Sequence, residues 1–278
     1  MRGFSLLRLP LASIQRALVI ALCVMFLAAC GSDEIEEFDD GRGAAELYEQ
    51  AKSALDAHNF GQAIVLYKGL QSRYPFGRHA EQAQLDLAYA YYKSNEPENV
   101  TATLDRFIRT YPSHPNVDYA YYLKGLTFYE QNISFLQRLV PGRRAADRDQ
   151  GAARQAFDDF SELLRRHPES RYTPDARQRM VYLRNNLADH EIAVAEYYMR
   201  RKAYVAAINR SKFILETYPN TPSTGDALAI LAGAYTELGM EDLKADSERV
   251  LAQNYPEHPY LTGKDPNKSF WRRIWVFD

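Results

Sequence analysis

Residues 81–112, EQAQLDLAYAYYKSNEPENVTATLDRFIRTYP, decide the fold. With Pro112 set as position 32, a small residue (Ala88) falls at position 8, an aromatic one (Tyr91) at 11, Val100 at 20 and Phe107 at 27. The stretch ends on Tyr111-Pro112, and the same kind of pair closes four other helical patterns: Tyr74-Pro75, His167-Pro168, Tyr218-Pro219 and Tyr255-Pro256. A proline there stops a helix, since it has no N–H and disfavours helical backbone in the residue before it. The first two prolines are 37 residues apart, as are the last two, with middle intervals of 56 and 51. A period in the mid-thirties is that of tetratricopeptide-type helix pairs.

The other repeat positions align with the prolines. The first helix of the third repeat is aligned separately, from Tyr121-Tyr122-Leu123-Lys124-Gly125. Position 8 then holds Ala51, Ala88, Gly125, Ala195 and Ala232, small in all five. Position 11 holds Ala54, Tyr91, Phe128, Tyr198 and Tyr235; position 20 holds Ala63, Val100, Ala156, Ala207 and Lys244. Position 27 holds Leu70, Phe107, Leu163, Ile214 and Leu251, where the usual repeat has alanine, so looser or differently angled packing is expected at that seam. Small residues against large ones fill a solenoid core, and no repeat buries its apolar face alone. The expected fold is all-α: a tetratricopeptide-like solenoid of about five helix pairs with an insertion in the third. Repeats 1–2 are placed at 44–117, repeat 3 at 118–173 and repeats 4–5 at 174–256.

Composition agrees with a globular body: 46% hydrophobic and 25% charged over 278 residues. The formal charge is −2, with 34 basic against 36 acidic side chains, which gives no general attraction to nucleic acid. The first 29 residues read as a signal peptide: Arg2, Arg8 and Arg16 precede the apolar run ALVIALCVMFLAAC over 17–30. That run is too short to span a bilayer, which takes about 20 residues. Leu27-Ala28-Ala29-Cys30 resembles a bacterial lipobox, with Cys30 as the acylated (palmitate-type) residue of the mature N-terminus; an ordinary signal peptide is the plainer alternative. Gly31 after the cysteine favours an outer-membrane destination over an inner-membrane one. Residues 30–43, with six carboxylates between Asp33 and Asp40, read as a solvated tether.

Extra residues in the third repeat fall around 131–152 and carry Arg138, Arg143, Arg144 and Arg148. Such insertions map to exposed loops that often bind, although a self-packed loop with solvated arginines fits equally. Catalytic and metal chemistry find no footing. The six histidines lack ligand spacing, and no H-E-x-x-H, C-x-x-C, G-x-S-x-G, P-loop or dinucleotide fingerprint occurs. The expectation is therefore no enzyme, no metal and no cofactor beyond a covalent lipid on Cys30.

Binding remains, and the register says where. First helices line the concave face with positions 2, 5, 9, 12 and 13. These positions put Tyr48, Tyr89, Tyr92, Tyr119, Tyr122 and Tyr129 toward one groove, with Lys52 and Lys93 beside them to meet a carboxylate. Tyrosine suits a groove: a large apolar ring, a polar tip and two torsions to freeze. The alternative is that these rings pack between adjacent repeats. The same positions of repeats four and five (Asp189, Ile192, Glu196, Met199 and Arg200; Asp226, Ala229, Gly233, Thr236 and Glu237) are less aromatic, so the two halves are expected to bind different things.

Several runs resemble the BamD family of outer-membrane β-barrel assembly lipoproteins, formerly called competence lipoproteins. They are Arg73-Tyr74-Pro75-Phe76-Gly77, residues 85–93 (LDLAYAYYK), Asp105-Arg106-Phe107-Ile108-Arg109, residues 114–119 (HPNVDY), residues 194–198 (VAEYY) and residues 205–210 (VAAINR). The resemblance runs from the lipobox to about Glu241. It implies a periplasm-facing scaffold, lipid-anchored in the outer membrane and docked through its C-terminal repeats on a BamA-like barrel subunit, with BamC- and BamE-like lipoproteins as further partners. It also implies that the N-terminal repeats recognise the C-terminal signals of unfolded outer-membrane proteins. Arg210 falls in the family's Asn-Arg pair and is the candidate contact to a partner carboxylate; an internal salt bridge is its alternative. Residues 257–278 depart from the resemblance. This tail holds both tryptophans, with Phe270, Trp271, Ile274 and Trp275 at helical spacing, and reads as a cap on the last repeat, a docking peptide or a contact to the bilayer interface. The reading from another class is a general periplasmic adaptor for cell-envelope enzymes.

Overall fold

The computed structural model describes residues 43–132 and 150–263. The signal peptide, Cys30 and its tether, most of the third-repeat insertion and the Trp-rich tail from residue 264 on lie outside the described residues. The described chain is helical throughout: α1 (Ala44–Asp56), α2 (Phe60–Arg73), α3 (Arg78–Lys93), α4 (Pro97–Thr110), α5 (Val117–Asn132), α6 (Gly151–Arg166), α7 (Thr173–Arg200), α8 (Tyr204–Thr217), α9 (Ser223–Glu237), α10 (Glu241–Asn254) and the short α11 (Pro259–Thr262). Consecutive helices pack on one another, so α1–α2, α3–α4, α5–α6, α7–α8 and α9–α10 form five pairs.

The pairs are built as their sequence positions require. Ala51, Ala88, Ala195 and Ala232 at position 8 are fully buried, and so are Ala63, Val100, Ala156 and Ala207 at position 20. Only Lys244 leaves the position-20 seam partly exposed, in the last repeat. At position 27, Leu70, Phe107, Leu163, Ile214 and Leu251 are all 0% exposed. The larger side chains at this seam are thus wholly withdrawn from solvent. Each second helix ends alike, with the backbone N–H of Tyr74, Tyr111, His167, Tyr218 or Tyr255 donating to the carbonyl of the position-27 residue four places earlier.

The turn inside a pair also repeats. His58, Asn95, Lys202 and Gly239, all at position 15, have φ of 58–67°, in the left-handed region. In each case the next residue donates its N–H to the carbonyl of position 11: Asn59 to Ala54, Glu96 to Tyr91, Ala203 to Tyr198 and Met240 to Tyr235. This is the Schellman way of ending a helix, and it points the chain back along its partner.

Two departures from regularity carry weight. The insertion does not separate its pair: α5 and α6 pack so closely that Gly125 lies against the ring of Phe160. The long interval between Pro168 and Pro219 is taken up by α7, a single helix of 28 residues. It packs on both α6 and α8, and its second half carries Ala195, the position-8 residue of repeat four.

Candidate functional site

A groove of about 450 Å³ opens between α1, α3, the start of α5 and the residues just before α7. That size is within the usual range for ligand clefts. Positions 9, 12 and 13 of the first repeat contribute Lys52, Leu55 and Asp56, and α3 contributes Gln82, Leu85, Asp86, Tyr89 and Lys93. His58 and Phe60 from the α1–α2 turn, Asn116 and Tyr119 at the start of α5, and Arg171 and Tyr172 close the remaining sides.

Asp86 anchors the floor. It accepts hydrogen bonds from Tyr48 Oη (2.8 Å), Tyr67 Oη (3.3 Å) and Gln82 Nε2 (3.0 Å), so its charge is satisfied from within. Burial and the bond to Asp86 push the Tyr48 phenol up, and burial pushes up that of Tyr67, so both remain neutral donors at neutral pH. Lys52 bonds Asp56 at 2.5 Å, one helical turn away, and this bond raises its pKa. The positive charge of Lys52 is thus matched by a neighbour. Lys93, exposed at the end of α3, makes no ion pair among the described residues. Arg171 lines the groove and is exposed, its guanidinium 4.9 Å from the Tyr172 ring centre and its Nη2 donating to Tyr172 Oη at 2.7 Å.

The groove gathers four of the eight residues expected there: Lys52, Tyr89, Lys93 and Tyr119. The other four go elsewhere, because acidic and aromatic neighbours take up their rings and hydroxyls. Tyr48 lies behind the floor, bonded to Asp86, and edges a second hollow with His79 and Arg78. Tyr92, 6.1 Å from Tyr89, turns toward Glu130, whose hydrogen bond joins burial in raising its pKa. Tyr122 donates to Asp175 Oδ2 at 2.7 Å and stacks on Tyr172 (4.7 Å, 14°); burial and that bond push its phenol up to about 12. Tyr129 packs edge-on against Phe160 and Tyr182 beneath the Arg179 guanidinium. Both readings of the tyrosines therefore apply, to different members: Tyr89 and Tyr119 face the groove, while Tyr122 and Tyr129 build the seam between α5, α6 and α7.

Arg171 and Tyr172 were not legible from the register. They sit in the connection before α7, which has no position in the repeat, and Tyr172 lines the groove with its ring tilted against Tyr119 (5.6 Å, 45°) and stacked on Tyr122. In the C-terminal half the inward positions divide: Ile192, Glu196, Met199, Ala229 and Gly233 are buried, Arg200, Thr236 and Glu237 are exposed, and Asp189 accepts a hydrogen bond from Ser223 at 2.5 Å. Arg210, on α8, is 45% exposed and donates through Nη1 to Glu191 Oε2 at 3.1 Å. Glu191 is 3% exposed and also meets Arg154 Nη2 at 3.6 Å. The internal salt bridge thus exists, and part of the Arg210 guanidinium still faces solvent.

Among the described residues no cluster of three or more His, Cys, Asp or Glu side chains is arranged to hold a metal. No described helix is long and apolar enough to cross a membrane.

Comparison with known proteins places these features in context. Residues 41–260 match the YfiO family, described as outer membrane lipoprotein. A protein of Neisseria meningitidis serogroup A named outer membrane protein assembly factor BamD is 43% identical over 254 residues, covering 90% of this chain and 95% of that one. Proteins of the same name from Xylella fastidiosa (strain Temecula1; 41% over 246 residues, 88% and 84% covered) and Vibrio cholerae serotype O1 (38% over 236 residues, 85% and 96% covered) are similar across the same body.

Proposed function

The chain belongs to the BamD family, and from that premise we propose that it is a non-enzymatic assembly factor for outer-membrane proteins, a scaffold within a β-barrel assembly complex. It is held at the outer membrane by lipid on Cys30 and faces the periplasm. The N-terminal groove receives the extended C-terminal end of an unfolded outer-membrane protein, and the C-terminal repeats, with Arg210, dock on a BamA-like barrel subunit. BamC- and BamE-like lipoproteins complete the set of partners.

The observation that carries this reading is the groove itself. Its walls offer Tyr89, Tyr119 and Tyr172 to an aromatic side chain. With Lys52 matched by Asp56, the cations left for a chain-terminal carboxylate are Lys93 and Arg171. A guanidinium or ammonium meeting a carboxylate in a half-enclosed site forms a charge-assisted bond that fixes orientation as well as adding affinity.

The test is binding of a fluorescent peptide with a C-terminal aromatic residue and a free carboxylate to the purified chain. Lys93→Glu, an exposed change, is expected to weaken binding about tenfold, the equivalent of ~1.4 kcal/mol. A pull-down from detergent-solubilised envelopes tests the other half: a barrel subunit should co-purify with the wild type and be lost with Arg210→Glu. Equal peptide affinity in the Lys93 variant removes the carboxylate from that end of the groove. Failure of both experiments in folded protein would sink the scaffold reading.

A further inference from the structure

The last repeat leaves an apolar patch in the open. Leu238, Met240 and Leu243, around the α9–α10 turn, are 38%, 47% and 45% exposed, and Val205 at the start of α8 is 62% exposed. Tyr204 Oη donates to Glu237 Oε2 at 2.9 Å, which ties the first turn of α8 to the end of α9 and makes these side chains one surface. Single exposed leucines are ordinary; a cluster of this kind marks a place that something covers. The rim is acidic, with Glu237, Glu241 and Asp242 all exposed.

Beyond α10 the described chain covers only the opposite end of the repeat. Tyr260 of α11 bonds Glu248 at 2.7 Å and packs on the cluster of Leu228 and Leu251, while His258 meets Asp226 at 3.1 Å and lies beside Gly225. The described chain therefore stops at the N-terminal end of α9, thirteen residues of helix from Leu238, or about 20 Å at 1.5 Å per residue. Residues 264–269 can span about 20 Å when extended, at ~3.3 Å each. They lead into FWRRIWVF, residues 270–277, which sets Arg272 and Arg273 among five large apolar side chains of 270–276.

We propose that residues 264–278 dock on this patch and cap the last repeat, placing the Phe270–Trp275 aromatics over Met240 and Leu243 and the two arginines toward Glu237, Glu241 and Asp242. Reach, apolar character and charge all match. A terminal repeat has no neighbour to bury its outer face, so a segment of the same chain is the cover that travels with it.

The protein carries its own probe, because its two tryptophans, Trp271 and Trp275, are both in this segment. Tryptophan emission and acrylamide quenching are measured on the purified full chain, alone, and on Met240→Glu with Leu243→Glu. Both substituted positions are exposed, and circular dichroism checks that helix content is unchanged. Expected are blue-shifted, poorly quenched indoles in the wild type, and a red shift with several-fold stronger quenching in the double variant. Exposed indoles in the wild type overturn the proposal, including the case where they become protected only when a barrel subunit is added. Protection that survives in the double variant overturns it too, since the tail is then covered by some other surface or by detergent.

Discussion

The closeness of α5 and α6 predicts opposite effects for one substitution at two glycines. A Cβ added at Gly125 would lie 2.5, 2.6 and 2.9 Å from Cδ1, Cε1 and Cγ of Phe160. Carbon atoms normally sit 3.5–4.0 Å apart, so the ring would have to retreat by about 1 Å. It has nowhere to go: Phe160 is fully buried, with the Tyr122 and Tyr129 rings 6.0 and 6.4 Å from its centre. Overpacking of this kind costs about 1–3 kcal/mol. Replacing a helical glycine by alanine returns up to about 1 kcal/mol of backbone propensity, which leaves a net loss on the order of 1–2 kcal/mol for Gly125→Ala. For a chain of this size that lowers Tm by about 2–8 °C. At Gly61, in the first turn of α2, an added Cβ meets nothing within 4 Å, so Gly61→Ala is expected to raise Tm slightly. Thermal unfolding followed by circular dichroism on the two variants decides the matter. Should Gly125→Ala raise Tm as Gly61→Ala does, the close packing of α5 on α6 across the insertion is refuted.

Two further predictions concern charge. Lys124 lies between Asp105 (2.7 Å) and the buried Asp159 (3.4 Å), so Lys124→Met is expected to cost about 3–5 kcal/mol by stranding Asp159, and adding Asp159→Leu should recover most of it. Urea unfolding midpoints measure both; a small loss in the single variant would mean that Asp159 is well solvated without its lysine. Asp175 is the acid-side case: burial alone would raise its pKa, but the hydrogen bonds from Arg179 and Tyr122 hold it below the usual carboxylate range. Its contribution is therefore complete above the unfolded-chain pKa of about 3.9 and is lost as pH falls through the lower folded value. Tm of Asp175→Asn should fall less than that of the wild type below about pH 4, and parallel acid limbs would show that the carboxylate makes no such contribution.

How far the fold was legible in the sequence depends on what each position must do. Positions 8, 20 and 27 are set by how near two helix axes come, so side-chain size there is constrained and could be read directly. Position 15 is constrained only in its backbone. His58, Asn95, Lys202 and Gly239 adopt one left-handed turn, and a cost of about 1–2 kcal/mol for a non-glycine residue is small enough for the packed pair to absorb, so composition does not reveal the turn. The length of α7 had a signal that periodicity by proline could not express: after Pro174 neither glycine nor proline occurs before its end at Arg200. The groove was half legible. The register pointed Tyr89 and Tyr119 inward, and both line the groove, but it treated all inward tyrosines as equivalent. Which of them stay open depends on Glu130, Asp175 and Tyr172, partners that lie on other helices or between repeats.

The long helix α7 contributes to both regions proposed for binding. Near its start α7 carries Asp175 and Arg179, which hold Tyr122 and Tyr129 in the aromatic seam behind the groove. In its second half it carries Glu191, which clasps Arg210 of α8 and Arg154 of α6. Asp175 and Glu191 are sixteen residues apart on one uninterrupted helix, about 24 Å along its axis. Two ordinary repeats would place a turn between such sites, and a turn is where a solenoid bends. Here the extra turns of helix replace that joint. The aromatic seam held by Asp175 and the clasp that Glu191 makes on Arg210 therefore stand on one helix with no turn between them.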